Sequence, residues 1–177
     1  SEVYHSAERA RDLVQQMQLF SQTKPGEAMY LEAQPLVKEN LKIIRSSLPT
    51  SINLIQQFDD DLPPVKTDPA LFQQLLTNLI IKARDAIEGK GNIGVTMRRS
   101  TIDNQSCNSC HESFNGEYVQ LTISDSGQGI PAEVQQKMFE PYYSTKPVGR
   151  GTGMGLSVVH GIMHELGGHI TVSSSSE

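Results

Sequence analysis

Apolar positions along this chain repeat first every three to four residues, then every second residue, then every three to four again. Each change of period marks an element boundary. In residues 2–22, Val3, Ala7, Ala10, Val14 and Met17 step by four and three, and Leu13 and Phe20 widen the seam. Glu2, Glu8, Arg9, Arg11 and Asp12 lie off it. The pattern predicts a helix that must pack on something; a plain packing helix and a helix of a dimer bundle both fit. Thr23 to Gly26 breaks it with Pro25-Gly26, a hinge signal. Leu36, Val37, Leu41, Ile44 and Leu48 predict a second amphipathic helix, with Pro35 in its first turn and an end near Pro49. Ser51 to Phe58 is a predicted strand. Asp59-Asp60-Asp61 and Pro63-Pro64 follow as a turn, read as a solvated acidic loop rather than a metal site.

Asp68-Pro69 starts the next helix, with Asp68 as N-cap and Pro69 at the first helical position. It is expected to run to about Glu88 and stop at Gly89 or Gly91. Leu71, Leu75, Leu79, Ala83 and Ala86 form its stripe, thickened by Phe72, Leu76, Ile80 and Ile87. The period then changes to two. Ile93, Val95 and Met97 alternate in a predicted strand from Asn92 to Thr101. Residues 102–116 are polar, and the strand from Tyr118 carries Val119, Leu121, Ile123 and Asp125 on one face. The two strands predict a hairpin with the polar segment at its tip. A short helix from Pro131 to about Met138 comes next, then a Gly-, Pro- and Ser-rich loop over Phe139 to Gly151. Thr152 to Leu166 is predicted helical through Leu156, Val159, Ile162, Met163 and Leu166. Gly167-Gly168 ends it, and His169 to Ser174 is a predicted last strand.

Composition narrows the class. The 177 residues fit one domain with a small appendage. A net charge of -5 and a pI near 5.5 give no global basic footprint, which argues against nucleic acid as partner. No apolar run is long enough to span a bilayer and no signal peptide is visible. Ser1 stands where an initiator Met would be expected, so we expect a segment of a longer protein, and a membrane-bound parent stays open. Two cysteines are too few for a disulfide framework.

Three features converge on a ligand. Asp125 is expected to point inward at the end of a core strand, where an ionised carboxylate is costly unless something donates to it. The N–H groups of its own turn would do so. So would a polar ligand, whose close approach Gly127 and Gly129 permit. We favour the ligand because a second glycine turn follows: Gly149-Arg-Gly-Thr-Gly-Met-Gly155 precedes a helix, whose N–H groups and dipole suit phosphate. It lacks the Gly-Lys-Ser/Thr of a P-loop and the preceding strand of a Rossmann turn. Upstream, Asn78, Lys82 and Asp85 share a polar stripe on an otherwise apolar helix, and asparagine is a poor helix former in mid-helix.

Together these motifs resemble the catalytic ATP-binding domain of sensor histidine kinases, one of the Bergerat-fold ATPases along with type II topoisomerases. Asn78-Leu-Ile-Ile-Lys-Ala-Arg-Asp-Ala86 matches the N box, and Asp125-Ser-Gly-Gln-Gly-Ile130 the first glycine box. Phe139-Glu-Pro-Tyr-Tyr-Ser-Thr-Lys146 matches the F box, and Gly151-Thr-Gly-Met-Gly-Leu156 the second glycine box. The match covers residues 28–177. It implies an α+β fold, a two-layer α/β sandwich with helices on one face of a mixed sheet, whose last strand would follow Glu177. It also implies ATP between the helical layer and a lid over residues 139–151. Asp125 would accept from the adenine amino group, the second glycine turn would bind the phosphates, and Lys146 would reach the terminal phosphate, with Asn78 and Lys146 as the catalytic pair. Contacts to nucleotide would also come from Lys82, Asp85, Gly127, Gly129, Ile130, Phe139, Thr145, Gly149, Gly151, Thr152, Gly153, Met154, Gly155 and Leu156.

Residues 1–24 resemble the second helix of the family's dimerisation bundle. The phosphoacceptor histidine belongs to the first helix, outside this chain, and His5 does not take that role. The resemblance therefore implies a homodimeric parent, a phosphoacceptor helix on its own or a partner chain, and a response-regulator receiver domain as partners. The domain would be cytoplasmic, with the parent at the inner membrane. One position departs from the family. A second Asn, four residues after the first, ligates Mg²⁺ there; here it is Lys82, and an ammonium has no lone pair to offer a metal. Mg²⁺ would have Asn78 alone, which opens a second reading as a nucleotide-binding pseudokinase scaffold. Finally, Cys107-Asn-Ser-Cys110-His111 spells a c-type haem attachment motif. It also fits half a zinc knuckle with Cys107, Cys110 and His111 as Zn²⁺ ligands, a redox pair, or two reduced cysteines in an exposed loop. A metal- or redox-sensing module is thus a third reading.

Overall fold

The computed structural model describes residues 26–145 and 153–174. The helix expected over 2–22, Lys146, Gly149, Gly151 and Thr152 lie outside the described residues. In chain order the elements are β1 (Met29–Leu31), α1 (Ala33–Arg45), β2 (Ile52–Phe58), β3 (Val65–Thr67), α2 (Pro69–Ala86), β4 (Gly91–Ser106), β5 (Ser113–Asp125), α3 (Ala132–Gln135) and α4 (Gly155–Glu165).

β2, β4 and β5 form a mixed three-stranded sheet with β4 in the centre. β2 runs parallel to β4 from Ile52↔Gly91 to Phe58↔Met97, and β5 runs antiparallel to it from Ile93↔Asp125 to Ser106↔Ser113. A parallel pair needs a crossover, and α2 supplies it between β2 and β4. β1 and β3 form a separate antiparallel pair, Met29↔Thr67 to Leu31↔Val65.

The alternation in β4 puts Ile93, Val95 and Met97 on one face, all buried. Their β5 partners Ile123 and Leu121 share that face. Onto it pack Val37, Leu41 and Ile44 of α1 and Phe72, Leu76, Ile80 and Ala83 of α2. α2 is apolar on a second side as well. Leu71 and Leu75 meet Val159 and Ile162 of α4 in a smaller cluster that shares Leu121 with the first. All three long helices therefore lie over one face of the sheet, the two-layer sandwich that the resemblance implies. Leu76 and Ile80 are completely buried at its centre; truncating either to alanine should cost about 2–5 kcal/mol.

The start of α2 follows its sequence signal. The Asp68 Oδ1 accepts from Ala70 N at 2.7 Å and Leu71 N at 3.1 Å, with Pro69 at the first helical position. Its Oδ2 is buried with no hydrogen-bond partner among the described residues. The helix stops two residues earlier than expected, because Ile87 turns extended at φ -94°, ψ 123°. α1 runs from Ala33 to Arg45, starting ahead of Pro35 and ending short of Leu48. α3 is shorter than predicted, ending at Gln135 rather than near Met138.

Two expectations for the hairpin and chain end need correction. The polar stretch 102–116 is not one loop: β4 continues to Ser106 and β5 begins at Ser113, leaving a turn of 107–112. Cross-strand pairing, interrupted by a register shift between Ile102 and Gln105, holds this ribbon, so it needs no apolar alternation; Arg99 pairs with Glu117 across it at 2.7 Å. Residues 169–174 form no regular strand. Their neighbour is the hairpin turn rather than a straight strand edge, so they bond to its loop atoms. Asn108 N donates to Ile170 O at 2.7 Å and Val172 N to Asn108 Oδ1 at 2.9 Å. No helix among the described residues is long and apolar enough to cross a membrane.

Candidate functional site

α2 is the spine of the site. Its polar stripe carries Asn78 and Lys82, both half-buried, and the more exposed Asp85. The Arg84 Nη2 lies 2.8 Å from the Asp85 Oδ1. Two glycine turns close on this helix, one at its C-terminal end and one along the stripe. At the first, Asp125 Oδ1 accepts from Gly127 N at 2.9 Å. Ser126 ties the turn to the start of β4: its N–H donates to Asn92 O at 3.1 Å, and its hydroxyl accepts from Asn92 N at 2.9 Å. Gly127 packs on the end of α2 so closely that a β-carbon there would fall 2.7 Å from the Ala86 carbonyl carbon. Gly129 follows with φ +77°, and Ile130 N donates to Ser174 Oγ at 2.7 Å.

The second glycine turn meets the middle of the stripe. Gly155 opens α4, and a β-carbon on it would lie 3.2 Å from the Lys82 Cε and 3.4 Å from the Asn78 Oδ1. Met154, in the N-cap position, gives no side-chain cap to the N–H groups at this helix start. These donors and the dipole face the same space as Asn78 and Lys82, an arrangement suited to an anion. Gly153 is buried with φ +64°, and a β-carbon on it would lie 2.6 Å from the Tyr142 carbonyl oxygen. Tyr142 N donates to Gly153 O at 3.1 Å, so the F-box segment folds back onto the second turn. Met154 and Leu156 in this turn are half-buried, as is Phe139, and Thr145 is exposed.

Asp125 differs from expectation. Val119, Leu121 and Ile123 pack on the core as the alternation requires, but Asp125 itself is exposed. β5 is an edge strand of the described sheet and Asp125 is its last residue, so the carboxylate opens outward while its partner Ile93 on the central strand stays buried. Asp125 is already held by its own turn, and a carboxylate has lone pairs to spare for a further donor. A cavity of about 530 Å³ on the outer side of α1, lined by Gln34, Pro35, Lys38, Glu39, Lys42 and Ile43, contains none of these residues.

At the hairpin turn the expected Cys107, Cys110, His111 set is replaced. His111 adopts φ +62° and closes the turn through its N–H to Cys107 O at 3.0 Å. The histidine that joins the sulfurs is His169, with the three candidate ligand atoms within 4.8 Å of one another. Nothing in local spacing marks His169; tertiary packing alone brings it there. Burial pushes the Cys107 thiol up, but donors from Ile170 N, the Ser109 hydroxyl and the Cys110 and Ser109 N–H groups outweigh it and bring it to about 6. For Cys110 the Glu112 N–H pulls the thiol down, yet burial and the neighbouring Cys107 together raise it above its usual value.

Residues 67–177 match the family described as histidine kinase-, DNA gyrase B-, and HSP90-like ATPase, more than half of the chain. The sensor kinase CckA of Brucella abortus is 35% identical over 174 residues, covering 97% of this chain, while the chain spans 18% of that relative's length. Among solved structures, the nucleotide-free catalytic domain of histidine kinase ThkA is 25% identical with a TM-score of 0.61, covering 79% of this chain and 82% of that one. ThkA in complex with the response regulator protein TrrA shares the fold at a TM-score of 0.57 and 21% identity, covering 81% of this chain and 39% of that one. The scaffold and sensing-module readings find no support among these relatives. The chain belongs to the histidine kinase-, DNA gyrase B- and HSP90-like ATPase family, and within it to the catalytic domains of sensor histidine kinases.

Proposed function

We propose that this chain binds ATP along α2 and passes its terminal phosphoryl group to a histidine outside the chain. The adenine amino group donates to Asp125 beside Gly127, Gly129 and Ile130. The phosphates lie at the start of α4, against Asn78 and Lys82, with Lys146 reaching the terminal one. The observation that carries this reading is the contact of Gly155 with Asn78 and Lys82, which sets a row of helix N–H groups opposite a cation. The bond from the terminal phosphorus to the bridging oxygen breaks as a phosphorus–nitrogen bond to the acceptor imidazole forms. Little covalent work falls to the protein, so its share is positioning and charge stabilisation.

Family members use Mg²⁺ with ATP. Here the Asn78 Oδ1 is a suitable oxygen ligand, but Lys82 brings an ammonium to the second ligand position. That pair does not fit an octahedral metal site. It fits direct neutralisation of phosphate charge by Lys82. The parent protein, as we read it, is a homodimer whose bundle includes residues 1–24. Residues 28–177 form its catalytic domain, on the cytoplasmic side of an inner membrane. The phosphoryl group would go on to the receiver domain of a response regulator, a partner of the kind that ThkA has in TrrA.

Calorimetric ATP titration of the chain and of Asp125→Ala, followed by phosphate transfer to a separately supplied phosphoacceptor bundle, tests this reading. Loss of affinity in Asp125→Ala and labelled bundle with the native chain are expected. Unchanged affinity in Asp125→Ala would remove the adenine assignment. Tight binding without any transfer would favour the scaffold that the Lys82 position suggests.

A further inference from the structure

The tip of the β4–β5 hairpin and the segment after α4 meet at a side-chain cluster that the nucleotide site does not use. Its members are Cys107, Cys110 and His169. The Cys107 side chain is buried, and both cysteines are free thiols. The turn between them is built to aim the sulfurs: Cys107 N donates to Glu112 O at 2.9 Å, and His111 N closes back on Cys107 O. Backbone N–H groups then point at sulfur. Ile170 N donates to the Cys107 Sγ at 3.2 Å, joined by Ser109 and Cys110, and Glu112 N donates to the Cys110 sulfur. The donors around Cys107 stabilise its thiolate, the form in which cysteine ligates a metal.

His169 supplies the independent observation. Its ring stacks on Phe114 at 4.3 Å and 12° and meets Tyr118 edge-on at 6.2 Å, so its orientation is fixed. Its Nδ1 is buried with no hydrogen-bond partner among the described residues. A buried ring nitrogen without a partner is costly unless something binds it. Two thiolates and an imidazole form a borderline-soft donor set that suits zinc and not Mg²⁺ or Ca²⁺.

We propose that Cys107, Cys110 and His169 together bind one zinc ion that staples the segment following α4 to the hairpin tip. The two thiol protons pass to solvent on binding. Three protein ligands leave one position, which water takes. The ion adds to an attachment already made by the Asn108–Ile170 and Asn108–Val172 hydrogen bonds. The cluster contains none of the N-box or glycine-turn residues, and it does not depend on the nucleotide reading.

The test uses the full 177-residue chain, purified with reductant and without chelator. Equimolar zinc is expected by elemental analysis. Stripped, reduced protein titrated with Co²⁺ should develop a thiolate-to-cobalt charge-transfer band that zinc abolishes. Cys110→Ser and His169→Gln should lose both signals, while His111→Gln keeps them. X-ray absorption of the zinc-loaded native chain needs no variant and should find sulfur and nitrogen around the metal. The proposal fails if reduced, folded protein gives no cobalt band, or if the metal shell contains no sulfur. It also fails if His111→Gln loses zinc while His169→Gln retains it.

Discussion

Gly155 and Lys82 share one small space: a β-carbon on the glycine would come within 3.2 Å of the lysine Cε. The neighbour is the far end of a flexible side chain, so the fold can yield where the site cannot. Gly155→Val should therefore leave stability within about 1 kcal/mol of the native chain. It should weaken ATP binding by about tenfold, about 1.4 kcal/mol. Calorimetry alongside urea unfolding separates the two effects. Equal ATP affinity in the variant would detach Gly155 from the phosphate site.

Lys82 itself makes the sharper test. If its ammonium does the work of a metal charge, the native chain should bind ATP about equally with and without Mg²⁺. Lys82→Asn should bind weakly without the ion and regain affinity with it, by about tenfold or more. Paired titrations in chelator and in Mg²⁺ read this directly. A strong Mg²⁺ requirement in the native chain would rule out charge replacement.

Gly127 has no such slack. A β-carbon there would meet the backbone of Ala86, 2.7 Å from the carbonyl carbon, rather than a movable side chain. Gly127→Ala should cost about 1–3 kcal/mol of stability through displaced backbone and should weaken adenine binding at the same time. Thermal melts and ATP titration should shift together; a native-like melting temperature would mean that the turn can retreat from α2.

The cap of α2 offers a prediction about the two oxygens of one side chain. Asp68→Ala and Asp68→Ser both remove the buried, unpartnered Oδ2, whose burial is worth about 1–3 kcal/mol of penalty. Only Asp68→Ser keeps an oxygen that can accept from Ala70 N and Leu71 N. It should therefore be more stable than Asp68→Ala by about 1 kcal/mol and should match or exceed the native chain. Denaturant midpoints of the three proteins decide it, and a serine variant below the native chain would show that the second oxygen carries structural weight.

Much of this was legible in the sequence, for reasons that differ by element. α2 announced itself through Asp68-Pro69 and a long apolar stripe, and β4 through the alternation of Ile93, Val95 and Met97. Both signals are local, and both elements are buried deeply enough to require them. β1 and β3 left no such trace: each is three residues long, and Met29 and Tyr30 are exposed. The hairpin extension was hidden for a related reason. A solvated ribbon held by backbone bonds and pairs such as Arg99–Glu117 has no apolar face to advertise. Asp125 was placed on the right face but at the wrong depth, since alternation gives direction and does not say that the strand lies at the edge of the described sheet. His169 was beyond reach of local pattern, because the turn that receives it lies more than fifty residues upstream.

The two glycine contacts on α2 also make that helix a ruler. Asn78, opposite Gly155, and Ala86, opposite Gly127, stand eight residues apart, about 12 Å along an α-helix. On the proposed reading, the distance between the adenine and phosphate ends of the nucleotide is thereby written into a count of residues, not into the loops that carry the turns. Loop lengths can drift without changing that gauge. A single residue inserted between Asn78 and Ala86 would swing one end by about 100° relative to the other. It would leave both glycine turns intact but aimed at different faces.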